Sequence, residues 1–295
     1  MMKTKRSTVL LSWGRVSYLE WAPDDATTAP VVVLLHGGGL DSAELSWGQL
    51  GPLLAEAGYR VVAPDHPGYG HTPPAPWAAT QERLVGYVRE FVDALGLQNY
   101  IIGGLSLGGG MTLGHLLERP NAARGAILLG SYGLMDCQFT GWSARPLHFL
   151  TWVLLRTGIL GRVMRAYGRK RQWLDSSVRS LIRNPQQRTP ELLDQIMEAA
   201  ASGGALAAFE QWQRDQFLWN RLRTNYSDHL ASVQCPALLV HGTHDSGVPL
   251  QYVQAATKRM PAAKLVVIPE AGHWVQRDRP DLVAPAIIDF LRTVN

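Results

Sequence analysis

Val31-Val32-Val33-Leu34-Leu35 is an unbroken apolar run. A strand with one wet face alternates apolar and polar side chains, so a run without alternation is covered on both faces. Parallel sheets achieve this, because their crossover helices pack on either side. The rest of the chain follows the same rhythm. Strand-like runs at Arg60–Ala63, Tyr100–Gly103, Gly125–Leu129, Ala237–His241 and Leu265–Ile268 alternate with helical patterns over Gln49–Ala57, Thr80–Leu95, Leu107–Glu118, Leu250–Arg259 and Pro280–Arg292. Two earlier strands, Thr8–Trp13 and Val16–Trp21, flank Gly14-Arg15 and are expected as an antiparallel hairpin at a sheet edge. The fold class is α/β, with a mostly parallel, doubly wound sheet.

Between Leu134 and Ser232 the strand-like runs vanish and apolar residues recur at helical spacing, as in Glu191-Leu192-Leu193-Asp194-Gln195-Ile196-Met197. The expected organisation is a core in two parts, 1–133 and 233–295, with a helical cap over 134–232 inserted after the strand ending at Leu129. The cap holds five of the ten tryptophans, Trp142, Trp152, Trp173, Trp212 and Trp219. Singly, each is accounted for by helix packing; together they point to the roof of an apolar pocket. Trp142 and Trp152 are the two expected to meet a substrate.

Charged residues make up 18% of the chain, below the usual quarter, which agrees with a large apolar interior. The net charge of +4 is mild, and no Lys/Arg block resembles a nucleic-acid footprint. Cys137 and Cys235 are too few for a disulfide framework, so a reducing, cytoplasmic setting is expected. Met1–Arg6 is basic like the start of an export signal, but Thr8-Val9-Leu10-Leu11 is too short to follow it, and no run approaches the roughly 18–20 apolar residues of a spanning helix. No stable membrane insertion is expected, and the oligomeric state is left open.

Gly104-Leu105-Ser106-Leu107-Gly108 follows a strand-like run and opens a helical pattern. That is the context of a strained turn presenting a serine hydroxyl, with glycines removing the Cβ clashes around it. His36-Gly37-Gly38-Gly39 directly follows the buried run Val31–Leu35, where backbone N–H groups can meet a developing oxyanion. The N–H groups of Gly38 and Leu107 are the expected donors, with Gly39 beside the substrate. A serine needs a base, and His273 lies in a loop after Leu265–Ile268, at the carboxyl end of a strand. Asp245, after Ala237–His241, is the expected acid behind it, with Asp136 in reserve. Asp65 is read as bracing the Pro67–Gly70 turn, and His241 as a packed strand end. No metal or cofactor is implied, since no phosphate-cradling loop or dinucleotide fingerprint follows any strand.

With these residues in view the chain resembles the α/β-hydrolase superfamily over nearly its whole length. The resemblance rests on His36–Gly39, Asp65-His66-Pro67-Gly68-Tyr69-Gly70, Gly104–Gly108, Gly242–Asp245 and Gly272-His273. It implies an eight-stranded core and a Ser106, Asp245, His273 triad. Gly37–Gly39, Trp47, Gly130-Ser131-Tyr132-Gly133-Leu134 and Gly272-His273-Trp274-Val275-Gln276 look like the meta-cleavage-product C–C hydrolases, which puts Trp274 at the substrate. Those enzymes usually carry Gly-Pro-Gly after the first glycines and Asn before the nucleophile, where this chain has Leu40-Asp41-Ser42 and Leu105. The Gly-Leu-Ser-Leu-Gly-Gly form looks more like simple esterases and enol-lactonases. The first expectation is therefore hydrolysis of a small carboxylic ester or lactone with an apolar portion. The alternatives are C–C hydrolysis of a vinylogous diketone and a non-enzymatic ligand sensor on the same fold. Ten cations over Arg145–Arg188 against the single Asp175 form either a solvated face or a surface drawing acidic substrates or membranes.

Overall fold

The computed structural model describes residues 3–25 and 28–294. Eight strands form one sheet: β1 (Lys3–Leu11), β2 (Gly14–Ala22), β3 (Val31–Leu35), β4 (Arg60–Pro64), β5 (Tyr100–Leu105), β6 (Ala123–Leu129), β7 (Ala237–Gly242) and β8 (Ala263–Ile268). Their order is β1-β2-β4-β3-β5-β6-β7-β8. β1 with β2 and β2 with β4 pair antiparallel, and every other pair is parallel. The α/β class and the mostly parallel, eight-stranded doubly wound sheet are as expected.

Successive residues of a strand feed opposite cores, the outcome that the unbroken run at Val31 requires. Val33 and Leu35 join one cluster, with Val88, Phe91 and Met111. Val32 and Leu34 join the other, with Leu50, Leu54 and Ile287. The helices of the core are α1 (Ala43–Trp47), α2 (Leu50–Glu56), α3 (Gln81–Ala94) and α4 (Leu107–Glu118) before the insertion, and α10 (Leu250–Arg259), α11 (Val275–Asp278) and α12 (Pro280–Thr293) after it.

The hairpin turn lies two residues earlier than expected. Leu11 pairs with Gly14 and Val9 with Val16, so Ser12-Trp13 is the loop and Gly14 already belongs to β2. This register puts Val9, Leu11, Val16 and Tyr18 against one core. A turn at Gly14-Arg15 would pair Trp13 with Val16 instead, four residues out of the observed register.

β6 and β7 are separated by five α-helices, α5 (Ala144–Arg156), α6 (Ile159–Gly168), α7 (Arg171–Leu181), α8 (Pro190–Ser202) and α9 (Gly204–Gln216), and two short 3-10 turns. Local chemistry sets their ends. The Thr189 side chain accepts from Leu192 N–H at 3.3 Å, and Pro190 opens α8. Gly203 at φ 71° ends α8 and starts α9, a left-handed position where a side chain would be strained. Among the described residues no helix is long and apolar enough to cross a membrane.

Candidate active site

β5 runs straight into Ser106, and α4 starts one residue later. Ser106 has φ 51° and ψ −114°, a region that costs a non-glycine residue about 1–3 kcal/mol. The bend is held from three sides. Ser106 N–H donates to Leu129 O at 2.9 Å, and Ser106 O accepts from Gly110 N–H at 3.0 Å and Tyr132 N–H at 2.9 Å. The glycines beside the serine are steric requirements. A Cβ on Gly108 would stand 2.2 Å from Leu35 O, and one on Gly104 would stand 2.3 Å from the Gly108 carbonyl carbon.

His273 and Asp245 meet as the sequence order anticipates. His273 Nδ1 lies 2.8 Å from both Asp245 oxygens. Asp245 Oδ1 also accepts from Gly247 N–H at 2.7 Å and Val248 N–H at 2.9 Å, which locks the carboxylate in place. Gly130 and Gly247 make the slot for the ring, since a Cβ on either would come within 3.1 Å of the His273 imidazole. With Nδ1 engaged by a carboxylate, the ring presents Nε2 as its free basic nitrogen. Ser106 and His273 line the same cavity.

The electrostatics suit a base. Burial pulls the His273 pKa down, but the charge and hydrogen bond of Asp245 and the charge of Asp41 outweigh it and leave the pKa above the ordinary 6.5. Burial pushes the Asp245 pKa up, yet the His273 charge and hydrogen bond win and hold it below the ordinary 3.8. His241, by contrast, is wholly buried, pairs through Nε2 with Val248 O at 2.8 Å, and is pushed down by burial. It is a packed strand end. Asp136 is exposed, and the carboxylate on His273 Nδ1 is that of Asp245.

The loop after β3 is built on two buried supports. His36 Nε2 accepts from His66 N–H at 3.0 Å, which leaves Nδ1–H to donate to Gly37 O at 2.7 Å. The two rings stack with centroids 3.8 Å apart, and burial lowers the His36 pKa to about 3, so this imidazole stays neutral. Beneath the loop lies Asp41, fully buried, accepting from Gly37 N–H, Ser42 N–H and Ser46 Oγ–H, each at 2.7 Å. Burial raises its pKa to about 6, against the lowering effect of those donors and of Arg277. Gly38 follows, pressed so close to Phe209 of α9 that a Cβ would fall 2.5 Å from the ring. Gly38, Gly39 and Leu107 all border the cavity. Leu107 is the first residue of α4, where backbone N–H groups have no carbonyl within the helix to bond.

Asp41 was not anticipated as part of the site, and no local motif marks it, because its three partners become donors to one point only in the folded loop. Asp41→Asn leaves one carbonyl oxygen to serve donors arriving at both carboxylate oxygens. The expected result is a kcat lower by about ten- to a hundredfold, from a misplaced loop. Stability should fall by about 1–3 kcal/mol, from unsatisfied buried donors. Steady-state kinetics and urea unfolding check the two effects.

The cavity has a volume of about 580 Å³. Trp274, expected at the substrate, lines it, as do Phe209, Trp212, Met164 and Tyr167. Trp142 and Trp152, also expected there, do not. Trp142 is 96% exposed, and Trp152 packs against Phe149 with ring centroids 5.6 Å apart. Helical spacing marks an apolar side chain without saying which way its helix faces, so the sequence chose the wrong pair among five. Among the described residues that line it, none is Lys, Arg, Asp or Glu. Asp65 holds the turn after β4, accepting from His71 N–H at 3.1 Å, while His71 itself is exposed.

The family profile of the alpha/beta hydrolase fold matches residues 30–280. The chain belongs to that family. A curated relative from Burkholderia cepacia, named 2-hydroxy-6-oxo-6-phenylhexa-2,4-dienoate hydrolase, is 27% identical over 274 residues, covering 91% of this hydrolase and 90% of its own length. The solved structure of an enzyme of that name from Rhodococcus sp. strain RHA1 superposes with a TM-score of 0.76 at 22% identity, covering 99% of this chain and 100% of the other. A thermophilic esterase from Thermogutta terrifontis superposes with a TM-score of 0.72 at 22% identity, covering 98% and 99%. At such identities the two solved structures establish the fold and nothing finer.

Proposed function

We propose that this hydrolase cleaves a carbon–carbon bond beside a ketone, through an acyl-enzyme on Ser106. The supporting observation is where the residues shared with the C–C hydrolases lie. Gly130 backs the His273–Asp245 pair and Trp274 lines the cavity next to His273, so the likeness is concentrated at the reacting centre. Of the residues that argued for an ester, Leu40 borders the cavity, but Leu105 and Asp41 carry less weight in their folded positions. Leu105 is fully buried beneath Gly37 and does not border the cavity, and Asp41 supports the loop from below. Neither of these two side chains borders the cavity.

In this reading Ser106 Oγ attacks the ketone carbon while His273 Nε2 takes its proton. The N–H groups of Leu107 and Gly38 hold the oxyanion. When the tetrahedral adduct collapses, the C–C bond electrons leave as an enolate delocalised over the neighbouring unsaturation, and His273 returns the proton to that carbon. Water then attacks the acyl-enzyme with His273 again as base. The net change adds H to one fragment and OH to the other. Asp245 keeps the imidazole oriented throughout.

A second reading, hydrolysis of a neutral ester or lactone, draws on the uncharged cavity. A dienoate carries a carboxylate, and burying one away from a cation is unfavourable. A panel separates the two. An unsaturated ring-fission diketone should be turned over with kcat/KM at least about tenfold above that of short aryl esters and lactones, a margin of about 1.4 kcal/mol in transition-state binding. Preference for the esters or lactones by that margin would reverse the assignment.

A further inference from the structure

Part of the insertion's surface takes no part in this chemistry. From Gly141 to Lys170 there are six cations, Arg145, Arg156, Arg162, Arg165, Arg169 and Lys170, and no Asp or Glu. Arg165 pairs with Glu210 at 2.7 Å and Lys170 stands 4.3 Å from the Trp173 ring. Among the described residues no carboxylate lies within ion-pair distance of Arg145, Arg156, Arg162 or Arg169. The same stretch exposes large apolar side chains: Trp142 at 96%, Leu147, Phe149 and Leu150 on α5, and Ile159 and Val163 on α6. Cations interleaved with exposed aromatic and aliphatic groups match a surface that offers anionic headgroups above an apolar layer.

The cavity reaches this face. Thr151 of α5 and Val163, Met164 and Tyr167 of α6 form part of its wall, and Val163 is at the same time 54% exposed. We infer that the α5–α6 face docks on an anionic lipid surface, and that an apolar substrate dissolved in that surface enters the cavity directly. The second clause rests on the proposed hydrolysis; the first does not. Charge selects this occupant over the others. Two copies of the chain meeting through this face would oppose cation to cation. A nucleic acid would satisfy the arginines and leave Trp142, Phe149 and Leu150 unmatched. A free anionic substrate would bind beyond the cations, because none of them lines the cavity.

Sedimentation with vesicles tests the docking, using phosphatidylcholine alone and phosphatidylcholine mixed with phosphatidylglycerol. Partitioning onto the mixed vesicles should exceed that onto neutral ones by about tenfold or more. It should collapse between about 0.1 M and about 1 M salt, as the Debye length shrinks from about 10 Å to about 3 Å. The triple variant Trp142→Ser, Phe149→Ser, Leu150→Ser should lose about tenfold in partitioning. It should keep kcat/KM on a water-soluble substrate, since none of the three residues lines the cavity. Equal sedimentation with both vesicles, no sedimentation, or a triple variant that partitions like wild type overturns the docking. So does a triple variant whose only change is weaker self-association in the ultracentrifuge, which would give the face to a second copy. With docking intact, a neutral substrate carried in mixed vesicles should be turned over faster by wild type than by the triple variant, and equal rates overturn direct entry. A wild type inactive on every substrate, soluble ones included, would count against the proposed reaction alone and leave the binding result standing.

Discussion

Ser106→Ala is expected to lower kcat on any substrate this hydrolase turns over by about a millionfold, because the remaining groups have no covalent route to offer. The substitution removes one hydroxyl and keeps a Cβ in the same positive-φ bend, with the backbone bonds to Leu129, Gly110 and Tyr132 untouched. The variant should therefore unfold within about 1 kcal/mol of wild type. Single-turnover assays on the diketone and ester panel measure the loss. A variant retaining a tenth of the activity would mean that water, or another residue, attacks the carbonyl, and the assignment of Ser106 as nucleophile would be lost.

Asp245→Asn should cost about ten-thousandfold in kcat, through the wrong imidazole tautomer. Asp245 Oδ1 receives two backbone N–H groups, from Gly247 and Val248, so the asparagine carbonyl oxygen is held there and its NH2 takes the place of Oδ2. That amide then donates to His273 Nδ1 and drives the ring proton to Nε2, the nitrogen that must accept from Ser106. The pH profile carries a second signature. His273 acts as a base only when neutral, and its pKa lies above 6.5, so wild-type kcat/KM should fall as pH drops through a midpoint above that value. In the variant, burial still pulls the pKa down while the charge and hydrogen bond of Asp245 are gone. The residual activity should therefore lose its acid limb at lower pH than wild type. An unmoved midpoint would mean that another group sets the limb.

The parts of the site that were legible in the sequence share one property: each is encoded over a few consecutive residues. The Gly104–Gly108 bend needs small residues at fixed offsets from the serine, and the Leu35 and Gly108 backbones it brings together leave no room for alternatives. His273 and Asp245 could be named because each stands just past a strand, and parallel strands deliver their carboxyl ends to one edge of the sheet. The hairpin shows how far local signals reach. Gly14 read as the turn, but the pairing of Val9 with Val16 against a shared core moved the loop to Ser12-Trp13.

Sequence alone determined the layered sheet and the bend at Ser106, since an unbroken apolar strand and a glycine-framed serine each admit few solutions. Tertiary structure decided what surrounds them. Which of five tryptophans faces the cavity, that Phe209 closes over Gly38, and that Asp41 gathers three donors beneath the loop all depend on how helices far apart in the chain turn toward one another. Helical periodicity records that a side chain is apolar; the rotation of its helix against a distant partner is set by packing, and no short stretch of residues encodes it.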